Sequence, residues 1–353
     1  MTIVKRSSRR IRLGEIFEWK VSAVRLVSGL SIVLLLPCAL FDPSEVLGGE
    51  SSGRVSIQSL TLPGTEILTL TKNGEPTTVW GELNLPREVE KRVPLVIILH
   101  GRGGVAADDR LWSEGLNRAG FASFLLDSFT ARELRSSELR SGRSIINMGS
   151  RIIDVYRALE FLASHPAIDP ARIALLGFSQ GGNVAMWARQ KRFQALWMSS
   201  KGDFAAYLAF YPGFCATRKL LDEHHVSDAP LQVFVGTADD QVPIEPCREY
   251  VERVRRAGKR VSLIEYPGAY HAFDRSNLPA LRFDKEVISA RNCTFIEVGD
   301  GKFSVFHRST GEPANPKNQC VSYGIRVGYN LQAHQKAISD VKMFLYGAFK
   351  PAR

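Results

Sequence analysis

The chain has little cysteine and little histidine, five and seven among 353 residues, and no C-x-x-C pair. A zinc ribbon or a thioredoxin-like redox centre needs that pair, so both are excluded. The one candidate membrane-crossing run, Leu26 to Phe41, has 16 residues, short of the roughly 20 that span a bilayer. With a mean hydropathy of −0.08, a polytopic membrane protein is excluded as well. Glycine and proline are at ordinary levels and hydrophobic residues make up 44%. That composition excludes collagen-like, coiled-coil and disordered chains and supplies apolar material for a large core. There is no internal repeat and no low-complexity tract.

Acidic charge is also scarce: 46 Lys and Arg face 36 Asp and Glu, a net +10. A surplus of that size suits nucleic acid, but its distribution argues against such a partner. Residues 1–25 hold Lys5, Arg6, Arg9, Arg10, Arg12, Lys20 and Arg25 against Glu15 and Glu18, a net +5 and half of the total. A positive flank directly before a short apolar run is the layout of an export signal. The reading is a signal peptide and the start of a linker over 1–48, with an uncleaved membrane anchor on 26–41 as the alternative. The expected destination is periplasmic or secreted. Residues 42–60, rich in Gly, Ser and Glu, read as linker.

Beyond residue 60 the chain reads as one α/β domain. Glu66–Thr71 and Thr77–Asn84 look like two strands split by an Asn-Gly-Glu-Pro turn. Pro94–Leu99 is a continuous apolar run, which suits a strand buried on both faces, and Phe121–Leu126 is similar. Strand and helix patterns then alternate. Helices are expected over Ser150–Ser164, Gln180–Gln190, Pro243–Ala257 and Leu331–Tyr346. Strands are expected over Arg172–Leu176, Phe204–Phe210, Leu231–Val235 and Arg260–Tyr266. The pattern predicts a mostly parallel central sheet with helices on both faces. Ser276–Tyr329 interrupts it as a long polar insertion, a candidate lid.

The chemistry gathers at Gly177-Phe178-Ser179-Gln180-Gly181. This G-x-S-x-G lies between a strand and a helix, the setting that pushes a serine hydroxyl out at a tight turn. A serine needs a base, and the base an orienting acid. Asp239 and Asp240 follow the Leu231–Val235 strand; Asp239 is preferred as acid, and Asp240, nearer the helix, as a cap. Of the histidines after them, His271 sits in a turn-rich loop just past a strand. His334 shares a helical face with Ile338 and Val341, and His307 lies in the C-terminal stretch. The order Ser179, Asp239, His271 is that of α/β-hydrolases. The amide of Gln180 and that of Arg102, with Gly103 as second choice, are the candidate oxyanion donors. No metal or cofactor is called for.

These residues resemble the dienelactone hydrolase family of α/β-hydrolases: H-G-R-G-G at His100, G-F-S-Q-G-G at Ser179, G-T-A-D-D-Q-V-P around Asp239 and Y-H-A-F-D around His271. The resemblance covers roughly Pro94 to Asp274 and the closing helix. It implies hydrolysis of a small-molecule ester or lactone through an acyl-enzyme, and supports Asp239 as the acid. Dienelactone hydrolases proper use a cysteine where this chain has Ser179, and carry a glutamate in the loop that here reads Gly101-Arg102-Gly103.

Two further expectations stand on the sequence. Arg132, Arg135, Arg140 and Arg143 follow the Phe121–Leu126 strand. They read either as a solvated loop or as an attractor of a carboxylate-bearing substrate. Cys215 and Cys247 fall in neighbouring carboxyl-end segments of a parallel sheet, and Cys293 and Cys320 in the insertion. The expected disulfides are therefore Cys215–Cys247 and Cys293–Cys320.

Overall fold

The computed structural model describes residues 52–63, 66–70, 73–87, 91–134, 148–199, 202–315 and 320–350. The basic and apolar N-terminal segment, and Arg135, Arg140 and Arg143, lie outside them.

The main sheet has eight strands: β1 (Ser52–Thr61), β2 (Glu75–Asn84), β3 (Val93–Leu99), β4 (Ala122–Asp127), β5 (Ile168–Phe178), β6 (Ala206–Phe210), β8 (Leu231–Gly236) and β9 (Val261–Tyr266). Their spatial order is β1-β2-β4-β3-β5-β6-β8-β9. The β1–β2 and β2–β4 pairs are antiparallel and the others parallel. The helices are α1 (Glu66–Thr69), α2 (Ala107–Arg118), α3 (Met148–Ala163), α4 (Gln180–Trp187), α5 (Lys191–Trp197), α6 (Gly213–Thr217), α7 (Ile244–Arg256) and α8 (Leu331–Ala348). Leu95–Leu99 of β3 and Ile173–Leu176 of β5 are fully buried, as central strands covered on both faces must be. In α7, Cys247, Tyr250, Val251 and Val254 turn one stripe to the core. On α8, Ala333, Ala337, Val341 and Leu345 do the same, with Ile338 half-buried beside them. Among the described residues no helix is long and apolar enough to cross a membrane.

Three readings change, and the insertion gains detail. The second part of the expected linker, from Ser52, is β1. Val55, Ile57 and Ser59 alternate with exposed Arg54, Ser56 and Gln58, and Ser and Gly hid that period of two. Glu66–Thr71 is no strand: Glu66–Thr69 is one helical turn that buries Ile67 and Leu68. Arg132 is neither solvated nor free for substrate. Its guanidinium grips Asp154 of α3 through two bonds of 2.8 Å and donates to the carbonyls of Leu60 and Ser128. The insertion, finally, is structured.

Within that insertion lie β10 (Arg282–Ser289), β11 (Cys293–Gly299), β12 (Lys302–His307) and β13 (Ser322–Val327). β10 pairs with β13, and β11 with β12 and the two-residue β7 (Arg218–Lys219). The disulfides Cys215–Cys247, between α6 and α7, and Cys293–Cys320, across the insertion, join Cα atoms 4.7 and 5.0 Å apart. Disulfides of this kind belong to an oxidising environment.

Candidate active site

In the main sheet β3 lies between β4 and β5, so the chain's connections diverge there. Parallel α/β sheets bind ligands outside the carboxyl ends of their strands. The segments after β3, β5, β8 and β9 meet at that edge.

Ser179 joins β5 to α4 with φ 52° and ψ −110°, a conformation costly for a residue with a Cβ. Its surroundings enforce it. The Ser179 amide donates to the Phe210 carbonyl at 2.9 Å, and its carbonyl accepts from Asn183 at 3.0 Å. The flanking glycines permit the approach: a Cβ on Gly177 would lie 2.1 Å from the Gly181 carbonyl oxygen, and one on Gly181 2.4 Å from that of Leu99.

His271, after β9, is 5% exposed. Its Nδ1 is 2.8 Å from Asp239 Oδ2 and its Nε2 3.1 Å from Ser179 Oγ. An ionised carboxylate only accepts, so Nδ1 carries the proton and Nε2 accepts from the serine hydroxyl. Asp239 Oδ1 accepts from the amides of Gln241 and Val242 at 2.9 and 2.8 Å, which fixes its other oxygen toward His271. Asp240 does not cap α7. Its carboxylate accepts from the backbone and guanidinium of Arg326 at 2.8 and 3.0 Å, and Arg291 approaches to 3.7 Å. Asp239 thus faces His271, and its neighbour ties the loop after β8 to the insertion.

The insertion also reaches the base: His271 bridges to Val327, and its carbonyl accepts from Gly328 at 3.2 Å. His334 and His307 stay apart from Ser179. His334 packs between Trp112 and Tyr329, where burial lowers its pKa, and His307 pairs with Cys293 in the β11–β12 hairpin.

A cavity of about 240 Å³ opens over Ser179 and His271. Gly101, Arg102, Gly103 and Gly104 form one wall, and Gln180 begins α4 directly after the serine. Leu278, Val287, Ile325 and Val327, all from the insertion, add an apolar wall.

Three supports escaped the sequence reading. Arg151, fully buried on α3, donates to Gln180 Oε1 at 3.1 Å and to the His100 carbonyl at 2.8 Å. It joins the serine turn to the β3 loop. His100 beside it is buried, and burial with the Arg151 charge lowers its pKa to about 4. Asp274 accepts from Tyr211 at 2.6 Å and Trp112 at 2.9 Å, and the Tyr211 ring lies 4.6 Å from that of His271. Asp274 stood in the Y-H-A-F-D motif; nothing in the spacing marked Arg151 or Tyr211.

A mostly parallel sheet wound on both faces by helices, with a serine exposed at a strand–helix turn, is the α/β-hydrolase fold. The dienelactone hydrolase family model matches residues 81–294, and the chain belongs to that family. Relatives are distant. An uncharacterized peptidase, YuxL, of Bacillus subtilis (strain 168) is 24% identical over 270 residues, which is 70% of this chain and 41% of the peptidase. The chain thus spans less than half of that relative's length. A Bradyrhizobium sp. protein described as a "probable 2-oxo-3-(5-oxofuran-2-ylidene)propanoate lactonase" is 25% identical over 197 residues, 52% of this chain and 75% of the other. Among solved structures, a dienelactone hydrolase-like promiscuous phosphotriesterase from metagenomic libraries matches with a TM-score of 0.54 at 15% identity. That match covers 85% of this chain and all of that one.

Proposed function

We propose that this protein is a serine hydrolase of carboxylic esters or lactones, acting through an acyl-enzyme. The observation that carries the reading is the hydrogen-bonded line from Ser179 Oγ through His271 to Asp239. Ser179 Oγ attacks the carbonyl carbon while His271 Nε2 takes the hydroxyl proton. Asp239 holds the imidazole in the required tautomer and balances the imidazolium charge. The amides of Gln180 and Arg102, with Gly103 as the second choice for the latter, receive the oxyanion. His271 then protonates the leaving alcohol, and water, deprotonated by the same imidazole, releases the acid.

The substrate is a small-molecule ester or lactone. The relative described as a lactonase favours that class, and the one described as a peptidase favours amide cleavage by the same groups as a second reading. The disulfides fit an exported protein, periplasmic or secreted, in which 1–48 directs export or anchors the chain and the chain from β1 onward forms one hydrolase domain. A fluorophosphonate probe tests the reading: the mature protein becomes labelled at Ser179, and absence of labelling refutes it. A matched ester and amide panel separates the two substrate classes.

A further inference from the structure

A second cavity, of about 250 Å³, opens between α2 and α8. It shares no lining residue with the cavity over Ser179. Its walls are Leu111, Trp112 and Leu116 of α2 and His334, Ile338 and Val341 of α8. All but the histidine are hydrophobic. Burial lowers the His334 pKa, so its ring is uncharged at neutral pH. Mostly apolar pockets with a few placed polar groups are where small molecules bind.

Two features make this a prepared site. Gly115 lies inside α2 and lines the cavity. Glycine inside a helix costs stability relative to alanine, and no close packing requires it here. An added Cβ would meet only the Arg118 guanidinium, at 4.0 Å. The missing side chain widens the cavity and serves no contact between elements. Trp112, in turn, is held in one orientation. Its Nε1 donates to the buried Asp274 at 2.9 Å, and its ring packs against Phe178 and Phe210 at 5.6 and 5.4 Å. The His334 ring lies 5.8 Å from it. An aromatic wall fixed in advance binds a ring with little entropy left to lose.

The open side of the cavity is positive. Arg118, which is exposed, has Glu114 at 3.6 Å, whereas Lys342 makes no ion pair among the described residues. An apolar cavity of roughly 150 Å³ takes a benzene ring. One of about 250 Å³ has room for a ring with a short chain.

We propose that the cavity between α2 and α8 is a second binding site, for a small aromatic carboxylate with its ring against Trp112 and His334 and its carboxylate at Lys342. The site stands independently of the serine hydrolase reading, and no bond is made or broken in it.

Calorimetric titration of 3-phenylpropionate into the protein tests it, with the neutral 3-phenylpropionamide and acetate as controls. The acid is expected to bind a few-fold more tightly than the amide, since an exposed ion pair adds little. Acetate, which lacks the ring, should not bind. Gly115→Leu projects a side chain into the cavity and raises helix propensity. It is expected to weaken the acid at least about tenfold with the circular dichroism spectrum kept. Lys342→Met should bring the acid to the level of the amide. Full binding in folded Gly115→Leu lies elsewhere and overturns the site, as does absence of binding by the unaltered protein at millimolar acid. Equal binding of acid and amide marks a neutral occupant and overturns the carboxylate. Should Gly115→Leu lose its fold, Lys342→Met decides: an acid affinity that it leaves unchanged overturns the proposal.

Discussion

The turns at the carboxyl edge of the main sheet and the segment from 276 to 329 build the same cavity by different means. The turns are held by backbone. Ser179 is locked by main-chain bonds to Phe210 and Asn183, and Asp239 by two amides of its own loop. The carboxyl halves of β3, β5 and β8 that lead into them are buried. The later segment buries little: Phe283 is 61% and Tyr323 68% exposed. Beside the short β11–β7 pairing and the bridge to His271, it is held by side chains, through Asp240 with Arg326, Glu297 with Arg192, and the Cys293–Cys320 bond. A region with a poor core needs such staples. The edge holds Ser179, Asp239 and His271 in fixed positions, and the insertion adds a wall to the cavity above them.

The largest expected effect falls on the edge alone. Ser179→Ala should lower kcat on a p-nitrophenyl ester by about 10³-fold or more with the melting temperature kept; activity within tenfold of wild type breaks the assignment. Adjacent aspartates sharpen the contrast. Asp239→Asn should cut kcat by about 10²-fold or more, because it leaves His271 in the wrong tautomer. Asp240→Asn should leave kcat within a few-fold and speed hydrogen exchange in β13. The reverse pattern would move the acid to Asp240.

The two disulfides divide in the same way. Their sequence separations of 32 and 27 residues correspond to about 3–4 kcal/mol each in the chain-entropy model. Cys293→Ser with Cys320→Ser should release the insertion before the sheet, seen as exchange or proteolysis confined to 276–329. Cys215→Ser with Cys247→Ser should lower the melting temperature of the whole domain. Identical profiles would erase the distinction.

The smallest expected effect concerns His100. Its folded pKa of about 4 lies below the ordinary value of 6.5. Between those values the unfolded chain binds a proton that the folded one refuses. Stability from this residue is therefore complete above about pH 6.5 and lost as the pH falls toward 4, on the order of 2–3 kcal/mol. A melting series from pH 7.5 to 4.5 should show that decline, and His100→Gln should flatten it.

Central strands and the residues of the site were legible because their signals are local. Pro94–Leu99 is apolar without interruption, G-x-S-x-G sits between strand and helix, and only one late histidine follows a strand in a turn-rich loop. The failures share a cause. β1 was lost because its buried positions include Ser59, an ordinary polar residue until Asp154 accepts its hydroxyl at 2.5 Å. Arg132 looked like one of four loop arginines until Asp154, 22 residues on, came within 2.8 Å.

Alternation of strand and helix, the local settings of Ser179, Asp239 and His271, and the glycines of the serine turn were determined by sequence alone, because each is read from residues a few positions apart. Only the tertiary structure decided that Asp240 tethers the insertion and that Arg151 joins two loops. Those are contacts across 86 and 29 residues. Charge compensation at such separations is a property of the folded surroundings, which no local pattern encodes.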